Sequence, residues 1–251
     1  TGRLGDASFF SFEFSKPITT GMGGVLIINN ESLIQPFIEL YKDIPEMKKM
    51  TVFKIILSLK LHYFTSLKAF LWTRRYVFAL FHKLKLVYLT PPEELSGLLP
   101  KEYPVKLSPL LSAFGLFQVN DIKHINSVKI KISEDYSNIL GRMNGIKTFQ
   151  NKNYVLVRYP ILFQEFVPIS VISQIKQELM DQKIYFGDWF NDVVHPKGSF
   201  RYCYNTGNCV IGEQISERII NLPINISSQL TNQDIRRIAE ILNKHLNGIK
   251  C

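Results

Sequence analysis

An apolar, aromatic stretch from residue 51 to 89, TVFKIILSLKLHYFTSLKAFLWTRRYVFALFHKLKLVYL, is broken by a Lys or Arg every few residues. No uncharged run in it approaches the ~18 residues that a helix needs to cross a bilayer, so a span is not expected. Two amphipathic helices, over about 51–66 and 68–84, fit the spacing instead. Residues 42–85 hold ten cationic side chains (Lys42, Lys48, Lys49, Lys54, Lys60, Lys68, Arg74, Arg75, Lys83 and Lys85) against Asp43 and Glu46. The segment therefore carries +8 of a formal net charge of +9, and the basic character is local. Such a segment can pack on its own protein or a partner subunit, or lie on an anionic membrane with its cations at the headgroups. Nucleic acid is a weaker third candidate and is not expected as a partner.

The rest of the chain is ordinary in composition. Its 251 residues, 46% of them hydrophobic, suffice for one large domain or two modest ones. Three Cys (Cys203, Cys209 and Cys251) give no disulfide framework and suit a reducing, cytoplasmic setting. Free buried thiols are expected. No basic stretch followed by an apolar run marks a signal peptide.

Local pattern divides the chain. Residues 8–14 (SFFSFEF) read as a strand, followed by the turn-rich Thr19–Gly24 and a second strand at Val25–Ile28. Glu31–Lys42 reads as a short helix with Pro36 as a kink. Prolines at 91, 92, 100 and 104 mark a loop. From Ser108 to about Leu140 apolar residues recur at three- and four-residue steps, with Ser108 as N-cap and Pro109 at the first helical position. This is one helix or a pair. Beyond Gly145 the texture is α+β. Strands are expected at Tyr154–Phe163, Ile184–Phe190 and Ile219–Pro223, and helices at Ser170–Lys183, Gly212–Arg218 and Asn232–Leu246. Thr231 and Asp234 form a capping-box-like start to the last of these.

Lys16 stands after the aromatic strand and before Gly21, Gly23 and Gly24. Burial disfavours a charged amine, and a neutral amine attacks carbonyls to form a Schiff base. Ser11, five residues earlier, offers a hydroxyl to an anionic group. The glycines let backbone approach a ligand closely.

These residues lie in GDASFFSFEFSKPITTGMGGVLI, which resembles the lysine motif of the DegT/StrS-type sugar-nucleotide aminotransferases. The matching elements are Gly5-Asp6-Ala7, Phe10-Ser11-Phe12, Lys16 and Gly23-Gly24. LSPLLSAFGLFQV (107–119), EQISERIINLPI (213–224) and LTNQDIRRIAEILNKHL are similar to later family segments in order and character. The resemblance covers the chain except an insertion at about 42–100. It implies an α/β fold: the C-terminal part of a pyridoxal-phosphate-binding large domain (1–107), a connecting helix or helix pair (108–145) and a small α+β domain (146–251).

The implied function is transamination of a nucleotide-linked keto sugar, with an amino acid such as glutamate as donor and pyridoxal 5′-phosphate as cofactor. Lys16 would make the Schiff base and shuttle the proton, and Ser11 would bind the cofactor phosphate. Dehydratases of the family generally carry His at the lysine position, so Lys16 argues against that branch. The family typically works as dimers with sites built across the interface. The chain departs from the pattern at Pro17, Met22 and Tyr103-Pro104-Val105-Lys106. There Pro104 and Lys106 replace a usual Asn and Arg, and Lys106 would meet a phosphate as a point charge. In the family an N-terminal part carrying an aspartate for the pyridine nitrogen precedes the lysine motif, and Asp6 is too close to Lys16 for that role. A truncated or degenerate relative, binding a membrane or partner through 42–85, is the rival reading.

His195, in Val194-His195-Pro196, is a candidate substrate contact, although a solvated histidine is the commoner outcome. His62, His82, His124, His195 and His245 have no metal-ligand spacing, and no metal is expected. Glu213 and Glu217 read as a solvated helix face.

Overall fold

The computed structural model describes residues 2–66, 73–149, 154–187, 191–194, 197, 204–224 and 230–249. The chain forms two compact units, residues 1–124 and 125–251.

The first unit opens with strands β1 (Ala7–Ser11) and β2 (Gly24–Ile28), paired antiparallel from Ala7↔Ile28 to Ser11↔Gly24. The first strand ends earlier than its alternation suggests. The Glu13 carboxylate accepts from the Ser15 N–H at 2.9 Å and the Ser15 hydroxyl at 2.6 Å, which turns the chain. A short 3₁₀ turn (Glu31–Leu33) leads into α1 (Ile34–Asp43). Pro36 makes no kink. It stands in the first turn of α1, where proline is tolerated.

Helix α2 (Lys49–Ser66) is followed by α3 (Arg74–Lys83), and the start expected at residue 68 lies outside the described residues. The amphipathic pattern holds for α3 and fails for α2. In α2, apolar residues occur on every side: Ile55 is buried, while Met50, Phe53, Tyr63 and Phe64 are exposed. The core of this unit is small, with Met47, Ile55 and Leu111 buried and Val52, Leu59, Tyr88 and Leu107 packed around them. Part of α2 thus packs on its own chain, as one reading of the basic segment expects. After the short α4 (Pro92–Leu95), of the two forms expected from Ser108 to Leu140 the pair is present: α5 (Pro109–Asn120) and α6 (Ile122–Leu140), separated at Asp121. Ser108 caps α5 by accepting the Leu111 N–H at 3.3 Å.

The second unit has a fuller core. Strands β3 (Ile146–Thr148), β4 (Tyr159–Phe163) and, later in the chain, β5 (Ile219–Leu222) form an antiparallel sheet in the order β3-β4-β5. Tyr159, Ile161 and Phe163 alternate onto the buried face. Pro160 explains why the β3–β4 pairing stops at Thr148. Opposite it, Asn221 turns its N–H and C=O to Gly187, so Pro160 and Asn221 form a non-hydrogen-bonded pair. The proline nitrogen then faces the side where β3 has ended, and no ladder bond is lost. The strand expected from Tyr154 starts only at Tyr159. The strand expected at Ile184–Phe190 reduces to one bridge, Gly187↔Asn221, with 188–190 outside the described residues.

Helices α7 (Ile169–Asp181), α8 (Val210–Arg218) and α9 (Asn232–Leu246) complete the unit. Ile235, Ile238, Ala239, Ile241, Leu242 and Leu246 of α9 are buried, and Thr231 and Asp234 close the full capping box. Across α7 and α9, Glu178 binds Lys244 at 2.9 Å and His245 at 2.6 Å. The Lys244 and His245 bonds hold its carboxyl below the usual range.

Two α6 side chains serve the chain after β5. The Tyr136 hydroxyl donates to Pro223 O and the Lys129 ammonium to Ile224 O, both at 3.1 Å. Lys129 is 4% exposed, and burial, with Arg158 nearby, pulls its pKa down to about 8 from 10.5. A shift of that size costs the folded state about 3 kcal/mol while both states are protonated. Lys129→Met is therefore expected to stabilise the protein by about 2 kcal/mol at pH 7, the lost bond to Ile224 O offsetting about 1. Between pH 8 and 10.5 the unfolded chain binds more protons than the folded one, so wild-type stability rises with pH. The advantage of the variant should shrink over that window, and urea unfolding at pH 7 and pH 10.5 measures it.

Candidate active site

The lysine motif is a loop between two paired strands. Beyond Ser11 the pairing runs on through the Phe12 N–H to Gly23 O (2.8 Å), and a separate, parallel bridge joins Glu13 to Gly21. Gly24 has to be glycine, because a Cβ there would lie 2.3 Å from Phe10 O on the partner strand. Lys16 sits half-buried at the tip, its N–H donating to Glu13 O at 2.9 Å. Among the described residues, no side-chain hydrogen bond or ion pair engages its ammonium. Ser11 is exposed at the strand end. Its Oγ accepts the Glu13 N–H at a long 3.4 Å, which leaves the hydroxyl proton to be donated elsewhere.

The far limb of the loop is held by α5. Gln118 accepts the Thr19 N–H at 3.1 Å and donates to Thr19 O at 2.8 Å, holding that residue by both of its backbone polar groups. Thr19 Oγ1 donates to Phe12 O at 3.1 Å and accepts the Gly21 N–H at 3.0 Å. Thr20, fully buried, donates to Met22 O at 2.6 Å. None of Glu13, Thr19, Thr20 and Gln118 stands out in the sequence. Each works through a backbone group distant from it or through an unremarkable turn, so only the fold pairs them.

The other sequence candidates have different surroundings. The Lys106 ammonium donates to Lys42 O at 3.1 Å, lies 3.7 Å from the Glu46 carboxylate and stands 5.2 Å over the Tyr41 ring. No hydrogen bond or ion pair among the described residues joins it to Lys16 or Ser11. Asp6 is occupied at the open end of the hairpin, accepting from Asn30 Nδ2 at 3.0 Å. His195 lies outside the described residues, as do Cys203 and Cys251. Cys209, expected to be buried, is exposed and free at the start of α8. Glu213 is not a merely solvated side chain: it accepts the Gly207 N–H at 2.7 Å and the Tyr204 hydroxyl at 2.8 Å. The Gly207 bond, then the Tyr204 bond, holds its carboxyl below the usual range. Burial and the bond to Glu213 push the Tyr204 phenol up to about 12.

A cleft of about 440 Å³ opens elsewhere in the first unit, lined by Ser58, His62, Phe78, His82, Val87 and Tyr88 among others. No motif residue lines it. The Tyr88 hydroxyl, beside it, donates to Tyr103, which in turn donates to Glu94, each at 3.1 Å. Burial raises both phenols above their usual range. Among the described residues there is no group of three or more His, Cys, Asp and Glu able to hold a metal. Nor is any helix there long and apolar enough to cross a membrane.

Comparison with known proteins adds the wider frame. No curated protein sequence matches the chain. Among solved structures, the chain is similar to PseC of Helicobacter pylori, an aminotransferase in pseudoaminic acid biosynthesis. The TM-score is 0.60 at 19% identity, over 98% of this chain and 54% of that one. It is also similar to the aminotransferase TlmJ of Streptoalloteichus hindustanus (TM-score 0.57, 14% identity, 100% and 55% covered). DesI, solved with its TDP-sugar product, aligns at a TM-score of 0.62 and 16% identity, over 98% of this chain and 51% of that one. The fold is thus the mixed α/β fold of such aminotransferases, and the chain spans about half the length of each. The sequence profile of the DegT/DnrJ/EryC1/StrS aminotransferase family matches residues 1–55 and 96–243. The cofactor of that family is pyridoxal phosphate, and this chain is a member of it.

Proposed function

We propose that this chain is part of an aminotransferase that uses pyridoxal 5′-phosphate to move an amino group from a donor such as glutamate to a nucleotide-linked keto sugar. The observation that carries the reading is Lys16: a half-buried amine on a clamped loop with no competing partner among the described residues, inside the stretch that the family profile matches. DesI, with its TDP-sugar product, and PseC, in the biosynthesis of pseudoaminic acid, suggest the substrate class.

The residues present fit the cofactor. Lys16 would hold it covalently through its amine, and the Ser11 hydroxyl would donate to its phosphate. Gly24, where a Cβ would strike the opposite backbone, keeps the hairpin narrow beside both. When bound, the cofactor supplies the electron sink for the bond broken at the α carbon of the amino acid. The chain would supply orientation and a proton carrier: the Lys16 amine, once released from the cofactor, would take the proton from the α carbon of the amino acid and deliver it to the cofactor's C4′ carbon. The Gln118 clamp and the Glu13 turn hold the loop so that the amine returns to the same place. A dimer whose sites are completed by the partner subunit belongs to the same proposal.

The test follows the cofactor absorbance of the intact gene product with glutamate, then with a TDP-linked keto sugar. Conversion to the amine form by the donor and reversal by the sugar are expected. A spectrum unmoved by amino donors would favour the non-catalytic rival.

A further inference from the structure

Residues 56–95 fall between the two stretches that the family profile matches, yet they reach the lysine loop. The His62 ring, on α2, lies 5.3 Å from the Phe14 ring and is tilted 42° to it. The same ring also lies 4.7 Å from Phe78 of α3, at 55°. Phe14 is two residues before Lys16. Seven residues earlier on α2, which is two turns along the same side of the helix, Ile55 is fully buried against the far limb of the loop. A Cβ on Gly21 would lie 2.5 Å from Ile55 Cγ2 and 3.1 Å from Phe14 Cζ, and Gly21 has a φ of +84° that favours glycine. Helix α2 thus supports the loop at two points, with Phe14 and Gly21 on either side of the lysine tip.

We propose that His62 is a positioning residue for Lys16. Its ring, paired also with Phe78, holds Phe14 and thereby fixes the turn from which the amine projects. Tilted ring pairs at these separations attract beyond the area they bury, and two in series make a stiffer support than one. A segment outside the family match would thus set the place of the family's lysine in this protein. The inference rests on the reading of Lys16 as the reactive amine.

His62→Ala and His62→Phe in the intact gene product separate the possibilities. One measurement is amide hydrogen exchange over residues 13–21. The other is the rate at which limiting pyridoxal phosphate becomes trapped on Lys16 by borohydride. His62→Ala should speed exchange over 13–21 and slow trapping, each by about tenfold, while β1–β2 and the second unit exchange as in the wild type. His62→Phe, which keeps the ring, should restore both to within about twofold. Wild-type exchange over 13–21 in His62→Ala would overturn the proposal, as would a His62→Phe variant as impaired as His62→Ala. Protection lost evenly across the first unit would also overturn it, by making the role one of general packing. If the wild type forms no adduct on Lys16, the functional reading fails, and the exchange measurement alone decides whether His62 holds the loop.

Discussion

Lys16→Ala is expected to abolish the stoichiometric, borohydride-trapped adduct between the intact gene product and pyridoxal phosphate. The chain is rich in lysines, and exposed ones such as Lys48 and Lys60 will label weakly at high reagent concentration. The discriminating readout is therefore the saturable adduct of one per chain, located by peptide mapping. Proton affinity alone would single out Lys129, whose pKa burial pulls down to about 8. Burial argues against it: Lys129 is 4% exposed and bound to Ile224 O, so a cofactor cannot reach its nitrogen. Lys16 is half-buried rather than enclosed, its ammonium has no hydrogen bond or ion pair among the described residues, and it stands on the loop that follows Ser11, whose hydroxyl proton is still available to donate. Lys129→Met should accordingly keep the full adduct. A stoichiometric adduct that persists in Lys16→Ala, on any lysine, would sink the assignment.

The contrast between these two lysines shows which parts of the site the sequence reveals. Lys16, Ser11 and the glycine pair of the candidate site lie within one hairpin and a short run of chain, so the family resemblance could single them out from local sequence. Ser108-Pro109 and Thr231–Asp234 are legible because caps are also local, and both form as the sequence suggests. Gln118 is different. Its partner, Thr19, is 99 residues away, and nothing in LFQV distinguishes an amide that clamps a distant residue from one that faces water. The carbonyls taken by Tyr136 and Lys129 are 87 and 95 residues distant. Strand lengths fail for a related reason. The run from Tyr154 has strand composition throughout, but a strand extends only as far as its neighbours pair with it, and β5 reaches no further than Tyr159. In α2 the sequence shows cations at regular intervals, but not that apolar residues fill every other side.

Residues 125–251 produced alone are expected to fold as a cooperative unit, whereas residues 1–124 alone are not. Among the described residues, the second unit buries twenty hydrophobic side chains in one cluster drawn from α6, α7, α9 and all three strands. A core of that size, with the sheet covered on one face, supports independent folding. The first unit buries three in its cluster, and its described sheet is a single hairpin, marginal by itself in water. That hairpin exposes Phe9, Val25, Leu26 and Ile27, while Leu40 of α1 and Phe117 of α5 are 70% and 74% exposed. Apolar surface on this scale favours association over a monomeric fold, and each strand of a two-stranded sheet leaves one edge open to another chain. Residues 125–251 should therefore give a single urea transition independent of protein concentration. Residues 1–124 should bind a hydrophobic dye, unfold without a sharp transition and aggregate as concentration rises. A sharp, concentration-independent transition from 1–124 would overturn the argument. Since Lys16 stands on the unit with the thinner core, the chemistry proposed for it would depend on cover for that hairpin. Additional strands from the same polypeptide and a second copy of the chain are distinguished by whether the intact gene product keeps the Lys16 adduct at concentrations where it is monomeric.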